Sequence, residues 1–271
     1  MKLVKKVGYY ANSVLEIILN IKNWFCLIPL FLGRVSNRER MVRLRRPPVN
    51  LMVRSAMDVW AIKETFLDAF YTRYGVPVED GWTVIDIGAA IGDFSIYAAF
   101  GNPNAIIYAF EPFPDSYQLL IKNLTLNAIS NVIAFQQAIW GQEGSVVLDL
   151  AGGEPLQNAS RETALADENR ETVLVEARTL ASVMHENEIQ SVDLLKLDCE
   201  GAEYAILMST SHEILAKIPR IIMEYHDLDE AHTHLHLIRF LRGEGYRVTW
   251  QVNNIHDHIG YLFAEREAPV G

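Results

Sequence analysis

Short hydrophobic runs recur along the central part of the chain, and polar or glycine-rich residues follow each of them. Several runs lack helical periodicity and are rich in β-branched residues, which is typical of strands buried on both faces of a parallel sheet. They cover residues 82–87, 105–110, 132–135, 194–197 and 220–226, and a last strand is predicted at 259–263. Helical periodicity separates some of them, as between residues 115 and 127. The pattern predicts an α/β fold with a mostly parallel sheet.

The first 42 residues have a different pattern, which predicts a long amphipathic helical arm. Its apolar stripe consists of Leu3, Val7, Tyr10, Val14, Ile17, Ile21, Trp24 and Ile28. Polar residues such as Glu16 and Lys22 interrupt the stretch that would be long enough to cross a bilayer, so we predict neither a transmembrane span nor a signal peptide.

We divide the chain into an arm (1–42), a lid or buttress segment (43–80) and a main domain (81–271). The segment is expected to hold a short strand at 49–54 and a helix that Asp58 caps.

Charge is distributed unevenly along the chain. Residues 1–46 contain ten Lys and Arg against two acidic residues, a net charge of +8 within a total of −10. The remaining chain is strongly acidic and should repel nucleic acid, so we expect no nucleic-acid partner. Basic residues beside an apolar stripe allow peripheral contact of residues 1–46 with an anionic membrane, while docking on the chain's own domain or pairing in a homodimer remains open. Cys26 and Cys199 are too few for a disulfide framework, which favours a reducing, cytoplasmic location.

A glycine loop follows the first strand of the main domain. Gly88 and Gly92 allow a tight turn and a close approach to a ligand, just before a helix begins. The dinucleotide fingerprint requires glycine where this chain has Ala90, which argues against NAD. The spacing favours a ligand without a pyrophosphate, with Asp86 available to a cationic amine or sulfonium and Ala89 within the cradle. That ligand would be S-adenosylmethionine.

Two further strand ends complete the expected cofactor site. Glu111 and Pro112 end the second strand, where a carboxylate accepts hydrogen bonds from both ribose hydroxyls of an adenosine. Gln137 and Ala138 follow the third strand, where the adenine edge would lie.

Four ionisable residues follow the strands at 194–197 and 220–226. Asp198 and Glu200 alternate after one strand, and Glu224 and His226 alternate at the end of the next. Since the carboxyl ends of parallel strands line one crevice, we expect all four to converge there. His226 has the pKa range of a general base, which Asp198, Glu200 or Glu224 would orient. Mg²⁺ held by these four residues is the alternative, which we do not favour, and we predict no metal ligands. Glu203 is expected only to stabilise a helix start.

Several of these motifs, in this order, resemble the FkbM-type S-adenosylmethionine-dependent methyltransferases. The matching stretches are 84–89 with Gly92, 109–112, 122–124 with Asn127, 193–203 and 222–226. The resemblance implies a Rossmann-like class I methyltransferase fold with a seven-stranded sheet, and O-methylation of a hydroxyl on a sugar, glycan, glycolipid or polyketide-like small molecule.

The resemblance also implies roles for individual residues. Asp86, Gly88, Gly92 and Glu111 would contact the cofactor, and Asp198 would face both cofactor and acceptor. Ala90 stands where the family usually has Asn, and Asp93 where it often has an aromatic residue. Ala90 alone keeps one alternative open, a catalytically silent binding or scaffold module that assembles through the arm.

Overall fold

A computed structural model describes residues 2–32, 39–149, 172–253 and 256–266. Its strands are β1 (Arg40–Arg43), β2 (Asn50–Val53), β3 (Thr83–Ile87), β4 (Ile106–Phe110), β5 (Val132–Phe135), β6 (Ala138–Ile139), β7 (Gly144–Asp149), β8 (Thr172–Arg178), β9 (Leu194–Leu197), β10 (Arg220–His226), β11 (Tyr246–Val252) and β12 (Ile259–Arg266).

The α-helices are α1 (Lys2–Asn20), α2 (Ile28–Phe31), α3 (Ala56–Ile62), α4 (Phe70–Arg73), α5 (Asp93–Ala99), α6 (Pro114–Leu126), α7 (Leu180–Glu186), α8 (Glu203–Ser209), α9 (His212–Leu215) and α10 (His234–Gly243). A 3₁₀ turn (Trp24–Leu27) precedes α2, and a π turn (Lys63–Leu67) continues α3.

The central sheet has seven strands in the order β11-β12-β10-β9-β3-β4-β5. Strand β12 pairs antiparallel with β10 and β11, and the other pairs are parallel, as the hydrophobic runs predicted. The chain passes from β3 to β4 and β5 on one side and later to β9 and β10 on the other. The order of strands therefore reverses between β3 and β9, and ligands bind at such switch points in open α/β sheets.

Two features of the sheet region were not foreseen. Strand β11 buries Tyr246 and Val248 while Arg247 and Thr249 face solvent, an alternation expected of an edge strand. A second sheet, in the order β6-β8-β7, lies outside the central one. The low content of large apolar residues between Gly141 and Thr172 predicts a hairpin that leads into a long surface loop, and residues 150–171 of that stretch lie outside the described residues.

Successive residues of the central strands enter different hydrophobic clusters. Ile85, Leu195 and Met223 pack with α7, α8 and α10 on one face of the sheet. Val84 and Ile222 lie in a cluster with Phe94 of α5 on the other face. Because the strands are covered on both faces, their runs are continuously apolar, which is why the sequence pattern identified them.

The N-terminal helix predicted for the arm is present as α1. It ends at Asn20, whose carbonyl accepts a hydrogen bond from the Arg45 amide at 2.8 Å, and Ile21 forms a bridge with Leu44. Trp24 and Ile28 of the predicted stripe therefore lie beyond this helix. The predicted boundary at residue 42 falls inside β1, and the division into an arm, a segment and a main domain stays a prediction. We call residues 2–32 and 39–74 the N-terminal layer.

The predicted apolar stripe of the arm is only partly buried. Ile17 and Ile21 lie in one cluster with Leu51 of β2 and Leu120 of α6. Tyr10, Val14 and Ile28 are exposed, and Leu3 and Val7 lie outside the residues whose side chains are described.

Ser55, not Asp58, is the N-cap of α3. Its hydroxyl accepts a hydrogen bond from the Asp58 amide, and the Asp58 carboxylate accepts one from the Ser55 amide in return. The π turn that follows places Lys63 in the interior, 2.6 Å from Asp68 and 3.2 Å from Glu16 of α1. A polar side of α1 therefore faces the domain.

Among the described residues, no helix combines the length and hydropathy needed to span a membrane.

Because the arm docks on the domain, alanine substitutions of Ile21 and Leu19 should change the free energy of unfolding by different amounts. Ile21 is 1% exposed, so Ile21→Ala should lower the free energy of unfolding by about 2–4 kcal/mol through lost burial and a cavity. Leu19 is 59% exposed, so Leu19→Ala should change it by less than about 0.5 kcal/mol. Urea denaturation measures both. Equal, small effects would show that the arm is undocked in solution.

Candidate active site

A buried ion pair joins β3 to β9 at the switch point. The Lys196 Nζ lies 2.9 Å from Asp86 Oδ1 and donates a hydrogen bond to the Gly88 carbonyl at 2.8 Å. The Ser95 hydroxyl donates to the other Asp86 oxygen at 2.6 Å. Burial alone would lower the pKa of Lys196, but the charges of Asp86 and Asp198 raise it above its usual value, so the ammonium stays charged.

Asp86 is fully buried, and Lys196 already balances its charge. Its carboxylate is therefore not displayed to a ligand as the sequence suggested. The geometry indicates that Asp86 holds the glycine loop in place.

The two loop glycines are required by contacts within the protein. Gly88 has φ +73°, and a Cβ there would lie 1.8 Å from the Asp198 carbonyl oxygen. Gly92 has φ +85°, and a Cβ there would lie 2.4 Å from Leu120 Cδ1. Only glycine fits such positions. The segments after β3 and β9 thus touch, and α5 packs closely on α6.

Glu111 closes one side of the glycine loop. Its two carboxylate oxygens accept hydrogen bonds from the Ala90 amide at 2.7 Å and the Phe113 amide at 2.8 Å. Burial raises its pKa to about 7, against the lowering effect of these amides. Each oxygen has accepted one hydrogen bond and retains a free lone pair, so the carboxylate fits a pair of ribose hydroxyls.

Ala90 and Asp93, the two departures from the family pattern, each form a hydrogen bond within the protein. Ala90 has φ +46°, a left-handed conformation that Asn adopts more readily than Ala, while its amide still binds Glu111. Asp93 is buried and accepts a hydrogen bond from the Thr65 hydroxyl at 2.5 Å, so it faces the N-terminal layer.

Four further residues were predicted to contact the cofactor: Ala89, Pro112, Gln137 and Ala138. Ala89 is buried, and its amide donates to the Phe110 carbonyl at 3.0 Å, while Pro112 is partly buried beside Glu111. Gln137 donates to Glu176 at 2.8 Å, and Ala138 pairs with Ala177 in the second sheet. An adenine contact of Gln137 and Ala138 stays a prediction.

The structure brings together the four residues predicted to be catalytic. Ligand atoms of Asp198, Glu224 and His226 all lie within 4.8 Å of one another. Glu200 Oε2 lies 3.3 Å from His226 Nε2. Glu200 reaches this position through a left-handed turn, with φ +52°, and not through strand alternation as predicted.

Glu203 was missed as a functional residue. It is fully buried at the start of α8, and its Oε1 accepts a hydrogen bond from the Cys199 amide at 3.1 Å and lies 3.3 Å from His226 Nδ1. Burial alone would lower the pKa of His226, but the hydrogen bond and charge of Glu203, with the charge of Glu200, raise it to about 10. Glu203 therefore holds the His226 ring through Nδ1, and the orienting role expected of Asp198, Glu200 or Glu224 stays a prediction.

The N-terminal layer supplies two further side chains that the sequence did not reveal. The Tyr71 hydroxyl donates to Asp198 at 2.8 Å, and its ring lies 5.5 Å from Lys196 Nζ. Burial, with the charge of Asp198, raises the pKa of Glu64 to about 8. Burial and the charges of Asp198 and Glu64 raise the pKa of Glu224 as well. No motif marked Glu64 or Tyr71, because both belong to an ordinary amphipathic segment.

This edge of the sheet carries a buried glycine loop at the switch point and, beside it, the Glu111 carboxylate and the cluster of Asp198, Glu224 and His226. A family model described as the methyltransferase FkbM domain matches residues 86–248, more than half of the chain. The chain belongs to the FkbM methyltransferase family.

Two curated relatives align with more than half of this chain. The 31-O-demethyl-FK506 methyltransferase FkbM of Streptomyces tacrolimicus is 26% identical over an alignment of 211 residues that covers 69% of this chain and 80% of that protein. Methyltransferase sdnD of Sordaria araneosa is 32% identical over an alignment of 189 residues that covers 60% of this chain and 72% of that protein.

The fold agrees with a solved structure, the methyltransferase FkbM of Methylobacillus flagellatus KT. The TM-score is 0.51 at 13% identity, over 75% of this chain and 47% of that one. The protein is thus an S-adenosylmethionine-dependent methyltransferase with the class I fold.

The buried ion pair can be tested against an exposed one. Lys196→Met leaves the Asp86 charge buried without a partner, so it should lower the free energy of unfolding by about 3–5 kcal/mol. Lys122→Met, which removes an exposed pair with Glu39, should cost about 0–1 kcal/mol. Denaturant unfolding of both variants measures the difference. If the two substitutions cost the same, the Lys196 pair does not stabilise the switch point.

Proposed function

We propose that this protein transfers a methyl group from S-adenosylmethionine to a hydroxyl oxygen of a small-molecule or glycan acceptor. The acceptor classes are a sugar, a glycan, a glycolipid or a polyketide-like compound. The observation that carries the proposal is the gathering of Asp198, Glu224 and His226 at the carboxyl ends of β9 and β10, next to the glycine loop. The name of the Streptomyces relative, which specifies methylation at an oxygen, supports the same reaction type.

On the cofactor side, Glu111 would bind the ribose hydroxyls, and Gly88, Ala89 and Gly92 would shape the loop against the nucleoside. Asp86 acts indirectly, because its pairing with Lys196 holds the Gly88 carbonyl in place. Pro112, Gln137 and Ala138 would border the base. S-adenosylmethionine supplies an electrophilic methyl group at its sulfonium.

On the acceptor side, the site must place an oxygen in line with that methyl group and take its proton. Positioning contributes much of the acceleration in such a displacement. An alcohol is a weak nucleophile at neutral pH, so a base within hydrogen-bond reach is needed.

His226 is suited to this task because Glu203 binds Nδ1 and leaves Nε2 facing the partly exposed Glu200 and the crevice. An acceptor hydroxyl would take the place of Glu200 at Nε2. Asp198 and Glu224 line the same space, and Glu224 or Glu64 would be the base if His226 stays protonated.

Mg²⁺ bound by Asp198, Glu224 and His226 is the alternative way to activate the hydroxyl, since oxygen and imidazole groups within 4.8 Å could share one cation. Activity that disappears in EDTA and returns with Mg²⁺ would support it. The silent-module alternative rested on Ala90, and the hydrogen bond from the Ala90 amide to Glu111 weakens that argument.

Transfer of labelled methyl groups tests the function directly. The purified protein, incubated with methyl-labelled S-adenosylmethionine and a small-molecule extract, should yield a labelled product that resists mild alkali, as a methyl ether does and a methyl ester does not. Glu111→Ala should weaken cofactor binding about tenfold or more in calorimetry, since it removes hydrogen bonds to a charged group. Cofactor binding without any transfer would instead support the silent module.

The pH dependence of transfer tests the base. At pH 7 a group of pKa about 10 is neutral in about one molecule in a thousand, so the rate should rise with pH through the neutral range. Glu203→Gln removes the charge that raises this pKa, and the profile should move to lower pH. His226→Gln should lower turnover about a hundredfold or more with cofactor binding intact. A profile centred near pH 8 that Glu203→Gln leaves unmoved would assign the base to Glu64.

A further inference from the structure

Helix α1 carries apolar side chains on its solvent side as well as on the side that docks. From Gly8 to Asn20 the sequence has one charged residue, Glu16, which is turned toward the domain and paired with Lys63 at 3.2 Å. Ser13 and Ile17 are buried on the same side, and the Ser13 hydroxyl donates to the Tyr9 carbonyl. The opposite side carries Val14, Leu15 and Leu19, each more than half exposed. A helix that only stabilised the domain would carry polar residues on that outer side.

The exposed apolar character continues beyond α1. Of the nineteen exposed large apolar side chains in the described ranges, eight lie in the 23-residue stretch between positions 10 and 32. We call these eight the apolar N-terminal surface: Tyr10, Val14, Leu15, Leu19, Phe25, Ile28, Phe31 and Leu32. Such a concentration of apolar side chains marks an interaction site.

Basic residues lie between the part of this surface on α1 and the part formed by residues 25–32. The Arg45 amide donates to the Asn20 carbonyl and the Lys22 amide donates to the Arg43 carbonyl, both at 2.8 Å, so the backbone of 43–45 runs along the junction after α1. Lys22, Arg43, Arg45 and Arg46 are exposed there. The two acidic residues of this region are engaged elsewhere, Glu16 with Lys63 and Glu39 with Lys122.

We propose that the apolar N-terminal surface inserts into the interfacial region of an anionic lipid bilayer, with α1 parallel to the membrane and the flanking arginines on the lipid phosphates. Apolar side chains beside cations are what an interfacial helix requires. The charge distribution also sets the orientation: residues 1–46 carry +8, and the acidic remainder of the chain is repelled by the same lipids.

A second copy of the chain fits this surface less well. A two-fold dimer places the same patch of both subunits face to face, so the cationic residues of one copy would approach those of the other. Anionic lipid supplies the complementary charge.

Flotation of the full chain with vesicles tests the proposal, and it does not depend on methyl transfer. The protein should bind vesicles containing phosphatidylglycerol, bind phosphatidylcholine vesicles weakly, and dissociate as salt is raised. Leu19→Gln with Phe31→Gln should lower partitioning about tenfold or more, because two exposed apolar side chains no longer enter the membrane. Arg43→Gln with Arg45→Gln should lower binding to the anionic vesicles by about tenfold or more.

Leu174→Gln with Leu235→Gln is the matched control, since both leucines are more than half exposed outside the N-terminal layer. It should bind as the unchanged protein does. Thermal unfolding and cofactor binding should be the same in all variants, because every substituted side chain lies at the surface.

No binding to phosphatidylglycerol vesicles at low salt would overturn the proposal, as would equal binding by the Leu19, Phe31 variant. A dimer in sedimentation analysis that the same variant dissociates would assign the surface to a second copy instead.

Discussion

The contact between Lys196 and Asp86 is the interaction on which the site depends. It joins the two strands at which the order of the sheet reverses, and the same ammonium holds the Gly88 carbonyl at the beginning of the loop. A charge buried this deeply is tolerable only with its partner in place, so the ion pair requires β3 and β9 in one register. The shape of the loop, and through it the position of Glu111, follows from that requirement.

The N-terminal layer also contributes side chains to the region around the glycine loop and the end of β9. Thr65 binds Asp93 at the start of α5, and Tyr71 binds Asp198 at the end of β9. The charge of Asp198 also raises the pKa of Glu64 in this layer. The cluster around Asp198 is therefore built from side chains of both the sheet edge and the N-terminal layer.

The sequence predicted the parts of this structure whose signal is local. Apolar, β-branched runs identified β3, β4, β9 and β10, because burial on both faces leaves few polar positions, and Asp86 and Lys196 occupy two of them as a pair. Strand β5, at the edge of the sheet, was identified by its β-branched run although it is only partly buried. The convergence of Asp198, Glu224 and His226 followed from parallel strand ends, whereas Glu200 joins them through a left-handed turn. The contact of Glu203 with His226 could not be predicted, because it joins the start of a helix to a strand end 23 residues later and has no periodicity.

The arm shows the opposite difficulty. Its apolar spacing was real, but spacing alone does not say which side of a helix meets the domain. The ion pair of Glu16 with Lys63 fixes that orientation, and it depends on a fold that places both residues together. Likewise, the two loop glycines were read as making room for a ligand, whereas the Asp198 carbonyl and Leu120 are what require them.

The position of Glu64 and Tyr71 has a consequence for how related enzymes diverge. Both residues precede residue 86, where the match to the family model begins, yet the Tyr71 hydroxyl binds Asp198 and the charge of Asp198 acts on Glu64. The surroundings of Asp198 are therefore encoded in two stretches of the gene, one inside the matched region and one upstream of it. A sequence change upstream of residue 86 can alter this cluster while the matched region stays as it is.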